Sequence, residues 1–177
     1  MRLVPTAIVG AFIVEADPVV DDRGSFARLF CADDFRAAGI TFTPMQTNIS
    51  HNPAALTLRG LHCQATPHGE AKLVQCVRGR IFDVAVDLRI GSPSFHAAVS
   101  VELAAGTDRA FYIPDGCAHG FLTLTDDSDV FYCMGSSFVA GSGRGVRWDD
   151  PAFAIDWPDA PRLISERDAT YALTGAA

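Results

Sequence analysis

The sequence predicts an all-β fold, a barrel or sandwich built as one domain over residues 1–177 with a short helix or two. Three observations point there. Short apolar runs recur at near-regular spacing, glycine, proline and aspartate bound them, and β-branched and aromatic residues fill them. A chain of 177 residues, 49% hydrophobic and 20% charged, holds one full core and not two comfortable ones.

The elements follow in chain order. The apolar start around Met1 to Asp17 lacks the cleavage pattern of a secretory signal and reads as strand, with Phe12 to Glu15 its clearest part. Cys31 to Ala38 is the best helix, because Asp33 and Asp34 stand in its first turn. Leu56 to Gln64 is a strand-like run that carries Arg59 and His62 among apolar residues. Lys72 to Val77, then Arg78-Gly79, then Arg80 to Leu88 reads as a hairpin around Gly79. Further strands are expected at Ala97 to Leu103, Arg109 to Ile113, Gly120 to Leu124 and Asp129 to Met134. The stretches Asp17 to Arg23 and Ala140 to Gly145 read as loops. The second is glycine-rich but lacks the Lys-Ser/Thr ending of a phosphate loop, so it reads as a surface turn.

Charge and cysteine use narrow the function. A net charge of −7 argues against nucleic acid or an anionic membrane as partner, and no apolar run is long enough to span a bilayer. Five scattered cysteines without a C-x-x-C pair argue for a reducing cytoplasm rather than a disulfide framework or zinc site. No metal and no other cofactor is expected. Small β-barrels that bind metals usually place histidines two apart on one strand, and two beyond His62 stands Gln64.

What remains is a set of cationic groups on expected inward faces: Arg59, His62, Lys72 and His119. Their desolvation in an acidic protein calls for an anion, and a diphosphate held by the Arg59 fork would suit. Pattern alone leaves open whether Arg59 instead pairs with Asp83 or Asp87. Tyr132 could act as an acid opposite a histidine base, and Asp168 could orient that histidine.

Taken together, Arg59-Gly-Leu-His62, Lys72-Leu-Val, Phe82 to Arg89, Ile113 to Phe121, Trp148-Asp-Asp-Pro151 and Ser165-Glu-Arg-Asp168 resemble dTDP-4-dehydrorhamnose 3,5-epimerase and its relatives. Asp22 to Phe26 and Gln46-Thr-Asn48 add to a resemblance that runs from about Asp21 to Asp168 in the family's order. It implies a cupin-type jelly roll, a homodimer without metal, and a nucleotide-diphospho-4-keto-6-deoxy sugar as substrate, epimerised at C3, C5 or both. By position it implies His62 as base, Asp168 as its partner and Tyr132 as acid; Lys72 or a nearby donor would then stabilise the enolate. Arg59 and His119 would hold the sugar diphosphate together with Lys72, and Arg167 counts among the substrate-binding residues. Arg23, Phe26, Gln46 and Asn48 would lie near the nucleotide, some reaching in from a second subunit.

The sequence departs from the family's pattern mainly at the nucleotide end, and once beside His62. Arg28 stands where a glutamate is usual, Phe138 where a tyrosine stacks on thymine, Gly143 near a polar contact, and Cys63 where a tyrosine is common. A ring at Phe138 still offers a stacking face. Arg28 keeps a CDP sugar open beside the default dTDP sugar. A 3,4-ketoisomerase and a non-catalytic sugar-nucleotide binding barrel are the other functions the same residues would permit.

Overall fold

The structure, a computed structural model, describes residues 1–174; the last three positions of the expected domain lie outside the described residues. The strands are Arg2–Pro5 (β1), Phe12–Glu15 (β2), Val19–Asp21 (β3), Gly24–Phe26 (β4), Gln46–Asn52 (β5), Thr57–Gln64 (β6) and Lys72–Arg78 (β7). They continue with Arg80–Asp87 (β8), Ala98–Ala104 (β9), Arg109–Ile113 (β10), Cys117–Thr123 (β11), Ser128–Met134 (β12), Gly143–Gly145 (β13) and Leu163–Ile164 (β14). Two short helices, Ala32–Ala37 (α1) and Glu166–Ala169 (α2), complete the set.

One sheet has the order β1-β2-β10-β7-β12-β5, and the other has β13-β6-β11-β8-β9, with β14 beside β6. From β6 to β12 the chain crosses between them at every connection except the β8–β9 pair, which stays in the second sheet, and so forms the cupin-type jelly roll. Alternation along each strand sorts its residues. On β7, Val74 and Cys76 face the space between the sheets, while Leu73 faces outward. The inner core gathers Phe111, Phe121, Ile81, Leu103, Ile113 and Val130, all almost fully buried. Each such side chain contributes about 1.5–3 kcal/mol on leaving water. Outside the first sheet, α1 lays Phe35 against Phe42 and Tyr112. Outside the second, Phe153, Ile155 and Trp157 cover Leu61, Val84 and Val86.

The expected hairpin at Gly79 is not one. β7 and β8 lie in different sheets, so Gly79 is the corner at which the chain crosses over. Its φ of +72° suits glycine, and a Cβ there would sit 2.5 Å from Ser128 Oγ. Local turn chemistry identifies a corner but not the sheet its next strand joins. Two other boundaries differ. β11 begins at Cys117, earlier than expected, and the polar run Gln46–Asn52 is a strand because all seven residues pair with β12. Val19 to Phe26, read in part as a loop, is a two-stranded hairpin apart from both sheets.

Candidate active site

The site begins with a bulge in β6. Across to β11, His62 faces His119 and Arg59 faces Phe121, so β6 carries one residue more than β11 between these two points. That extra residue brings two side chains three apart onto one face. It needs two glycines. A Cβ on Gly60, whose φ is +122°, would lie 2.5 Å from Gly120 Cα, and one on Gly120 would lie 2.6 Å from Arg59 O. Leu61 turns outward to Val84 and Val86, while Arg59 and His62 both line a cavity of about 790 Å³ between the sheets. That volume is in the range of small-ligand sites.

β14 runs parallel to β6, and Ser165 then caps α2 by accepting a hydrogen bond from Asp168 N at 3.2 Å. This delivers Asp168, only 3% exposed, to the strand that carries the histidine. His62 Nε2 lies 2.6 Å from Asp168 Oδ1, and Gly60 N donates to Oδ2 at 3.1 Å. Burial alone would raise the Asp168 carboxyl, but the His62 and Gly60 hydrogen bonds and Arg167 outweigh it and hold it at about 2. Asp168 is therefore an acceptor at neutral pH, so His62 Nε2 carries the proton and Nδ1 keeps its lone pair. Arg167 Nη2, 3.0 Å from the same Nε2, then cannot donate to it. Its guanidinium acts on the Asp168 charge instead.

Lys72 and Tyr132 belong to the opposite sheet. Lys72 Nζ is buried, 3.2 Å from Glu70 Oε1, yet without hydrogen-bond geometry; it has no hydrogen-bond partner among the described residues. Such an ammonium waits for an acceptor. Tyr132 lies edge-on to His119 with ring centres 5.9 Å apart. Burial, with Asp83 adding and Arg59 opposing, pushes its phenol well above the ordinary 10.0. It stays protonated at neutral pH. His119 Nε2 meets Asp83 Oδ1 at 2.7 Å, and burial pushes the Asp83 carboxyl up against the pull of His119. Asp87 pairs with Arg89 at 2.8 Å. Both proposed partners of Arg59 are thus taken. Arg59 Nε donates instead to Asn52 Oδ1 at 2.7 Å, and its terminal nitrogens make no hydrogen bond among the described residues.

At the rim, Asn48 and Phe138 line the cavity, and Gln46 joins them by donating to Asn48 Oδ1 and accepting from Phe138 N. The glycine-rich stretch is no mere surface turn. β13 pairs with β6, setting Arg144 opposite Cys63 and Gly145 opposite His62, and Gly143 and Arg144 line the cavity. Gln64 fastens this loop: its Oε1 accepts from Val139 N and Ser142 Oγ, while its Nε2 donates to Glu70. Arg23, Phe26 and Arg28 lie outside this chain's cavity and are exposed, with Arg23 paired to Asp21.

Sequence reasoning missed Tyr171, Glu70, Arg144 and the positioning roles of Asn52 and Gln64. Tyr171 had a signal, being a tyrosine three residues beyond the Asp168 motif. Among the described residues no three His, Cys, Asp or Glu side chains come together as a metal-ligand set. No described helix is long and apolar enough to cross a membrane.

Residues 5–174 match the family model described as dTDP-4-dehydrorhamnose 3,5-epimerase. The dTDP-4-dehydrorhamnose 3,5-epimerase of Shigella flexneri is 38% identical over 95% of this chain and 93% of its own. The dTDP-4-dehydrorhamnose 3-epimerase of Streptomyces niveus is 37% identical over 95% of this chain and 81% of its own. The crystal structure of the Bacillus anthracis 3,5-epimerase, with TDP and PPi bound, superposes with a TM-score of 0.92 at 35% identity, covering 98% of this chain and 99% of that one.

Proposed function

The chain belongs to the dTDP-4-dehydrorhamnose 3,5-epimerase family, and on that premise we propose how its residues perform the reaction. It is an isomerase that inverts C3, C5 or both in a nucleotide-diphospho-4-keto-6-deoxy sugar. The observation that carries the assignment of roles is the buried Lys72 ammonium, beside Glu70 but without a hydrogen bond among the described residues, in the same cavity as the His62–Asp168 pair and Tyr132.

His62 Nδ1 removes the proton from the carbon beside the 4-ketone. The C–H electron pair becomes the enolate double bond, and the charge moves to the C4 oxygen. Lys72 Nζ, itself buried, meets that oxyanion. Asp168 balances the imidazolium that forms. The acid stands opposite the base: Tyr132 is on β12 of one sheet and His62 on β6 of the other. A proton from the Tyr132 hydroxyl to the far face of the carbon restores the ketone and inverts the centre. Arg59 and His119 hold the diphosphate, while Asn48, Gln46 and Phe138 receive the nucleoside.

dTDP is the nucleotide we assign. The support is the likeness to the Bacillus anthracis structure, which holds TDP. The whole chain acts as one catalytic domain, and the five free cysteines suit the cytoplasm. A homodimer is the working unit. The β3–β4 hairpin presents Val19 and Val20 at 70% and Phe26 at 77% exposure, and a second subunit's cavity would receive Phe26 and Arg23. In sedimentation, Phe26→Asp should turn a dimer into a monomer with weakened dTDP binding.

The deciding experiment is proton NMR in deuterated water with dTDP-4-keto-6-deoxyglucose. Loss of the H3 or H5 signals, abolished by His62→Ala and with the 4-ketone retained, supports the epimerase and its base. Movement of the carbonyl to C3 would indicate a 3,4-ketoisomerase, and binding without exchange a non-catalytic barrel.

A further inference from the structure

Tyr171 stands outside the reaction as just described, yet it touches its centre. The residue follows α2 and lines the cavity. Its ring meets the His62 imidazole edge-on, with centres 6.2 Å apart and planes at 72°. The other side of the ring lies on the backbone of β13. A Cβ at Gly145 would fall 2.3 Å from Tyr171 Cε2 and Cζ and 2.7 Å from its hydroxyl, and these are the three nearest atoms. Gly145 is in turn the residue paired with His62 across β13 and β6. The phenol is therefore held between a glycine of β13, where a methyl group would displace the ring, and the ring of the base.

We propose that Tyr171 is a positioning residue for His62, a wall held in place by Gly145 that fixes the plane of the imidazole and therefore where its basic nitrogen points. The inference rests on the assignment of His62 as base. The hydrogen bond from Nε2 to Asp168 fixes one nitrogen but leaves the ring free to rock about that bond. His62 is 35% exposed in its side chain, so the cavity side of the ring needs support from something other than the core. Tyr171 supplies an edge contact of the kind aromatic rings favour. Burial raises its phenol, so the wall stays neutral beside an imidazole that gains charge during each turnover.

The test is steady-state kinetics with solvent-deuterium exchange on a set of variants, each confirmed folded by its unfolding temperature. Tyr171→Ala is expected to lower kcat about 10- to 100-fold, the scale of a misplaced catalytic group, with KM changed less than about threefold. Tyr171→Phe keeps the ring and should stay near wild-type rates. Gly145→Ala should reproduce the loss, because its methyl group displaces the ring. The double variant Gly145→Ala/Tyr171→Ala should be no slower than Tyr171→Ala alone, since the clash needs both partners. Full activity in Tyr171→Ala, equal damage from Tyr171→Phe, a loss confined to KM, or additive losses in the double variant would each overturn the proposal. His62→Ala run alongside separates the two levels: if it retains exchange, the base assignment fails; if it is dead while Tyr171→Ala is fully active, only the positioning role fails.

Discussion

Asp83 reaches His119 Nε2 at 2.7 Å from inside the barrel, and its second oxygen has no hydrogen-bond partner among the described residues. The carboxyl thus satisfies a histidine that is only 5% exposed. Asp83→Ala leaves that buried ring nitrogen unpaired and should cost about 1–3 kcal/mol in urea unfolding. Asp83→Asn still offers an acceptor and should stay within about 1 kcal/mol of wild type. Equal losses in the two variants would show that the acceptor is not what matters.

Asp168 makes a pH-dependent contribution. Its folded carboxyl lies at about 2 against an ordinary 3.8, so the stabilisation is complete above about pH 4 and disappears as pH falls through 2. The difference corresponds to about 2 kcal/mol. Wild type and Asp168→Asn should therefore converge in stability between pH 4 and pH 2. At neutral pH, Asp168→Asn should lower kcat by about 100-fold or more, because the imidazolium loses its counter-charge.

Tyr132→Phe separates removal of the proton from its return. His62 can still take the proton and give back deuterium from the same side. In deuterated water the variant should exchange H3 or H5 while forming the epimer about 100-fold more slowly. Parallel loss of exchange and inversion would remove Tyr132 from the role of acid. Because its phenol titrates above 10.0, it should produce no alkaline limb in the rate profile below that pH.

Arg59 is expected to serve binding and not stability. Only its Nε is engaged by the protein, at Asn52, which leaves the rest of the fork to the diphosphate. Arg59→Gln should raise KM about 10- to 100-fold, the scale of a charge-assisted hydrogen bond, with an unchanged unfolding temperature. A fall in kcat at constant KM would contradict this.

The residues that meet in the cavity were legible because each sits in a local motif: Arg59 to His62, Tyr132 in a strand, and Ser165 to Asp168 with its capping serine. The succession from β6 to β12 was legible too, because turn residues punctuate those strands. What sequence could not show was which sheet each strand joins. Gly79 looks alike at a hairpin and at a crossing between sheets, and long-range pairing decides between them. The same limit hid Tyr171 and the rim loop. Their place at the cavity comes from β13 pairing with β6, a contact between segments about 80 residues apart, and the nearness of Tyr171 to Asp168 in the chain does not show it. The partner of Arg59 was hidden likewise, since Asn52 lies on a polar strand that pattern alone does not identify.

Gln64 offers a lesson for anyone who would re-engineer this barrel. One amide holds the loop that lines the cavity at residues 138–144 and also Glu70, the neighbour of the Lys72 cation. On the proposed roles, recognition of the nucleotide and stabilisation of the enolate are therefore not independent modules in this scaffold. A loop transplanted from a relative with a different nucleotide preference brings its own demand on that amide. Grafts should be drawn to include residues 64 and 70 with 136–144, so that a change in recognition is not mistaken for a change in chemistry.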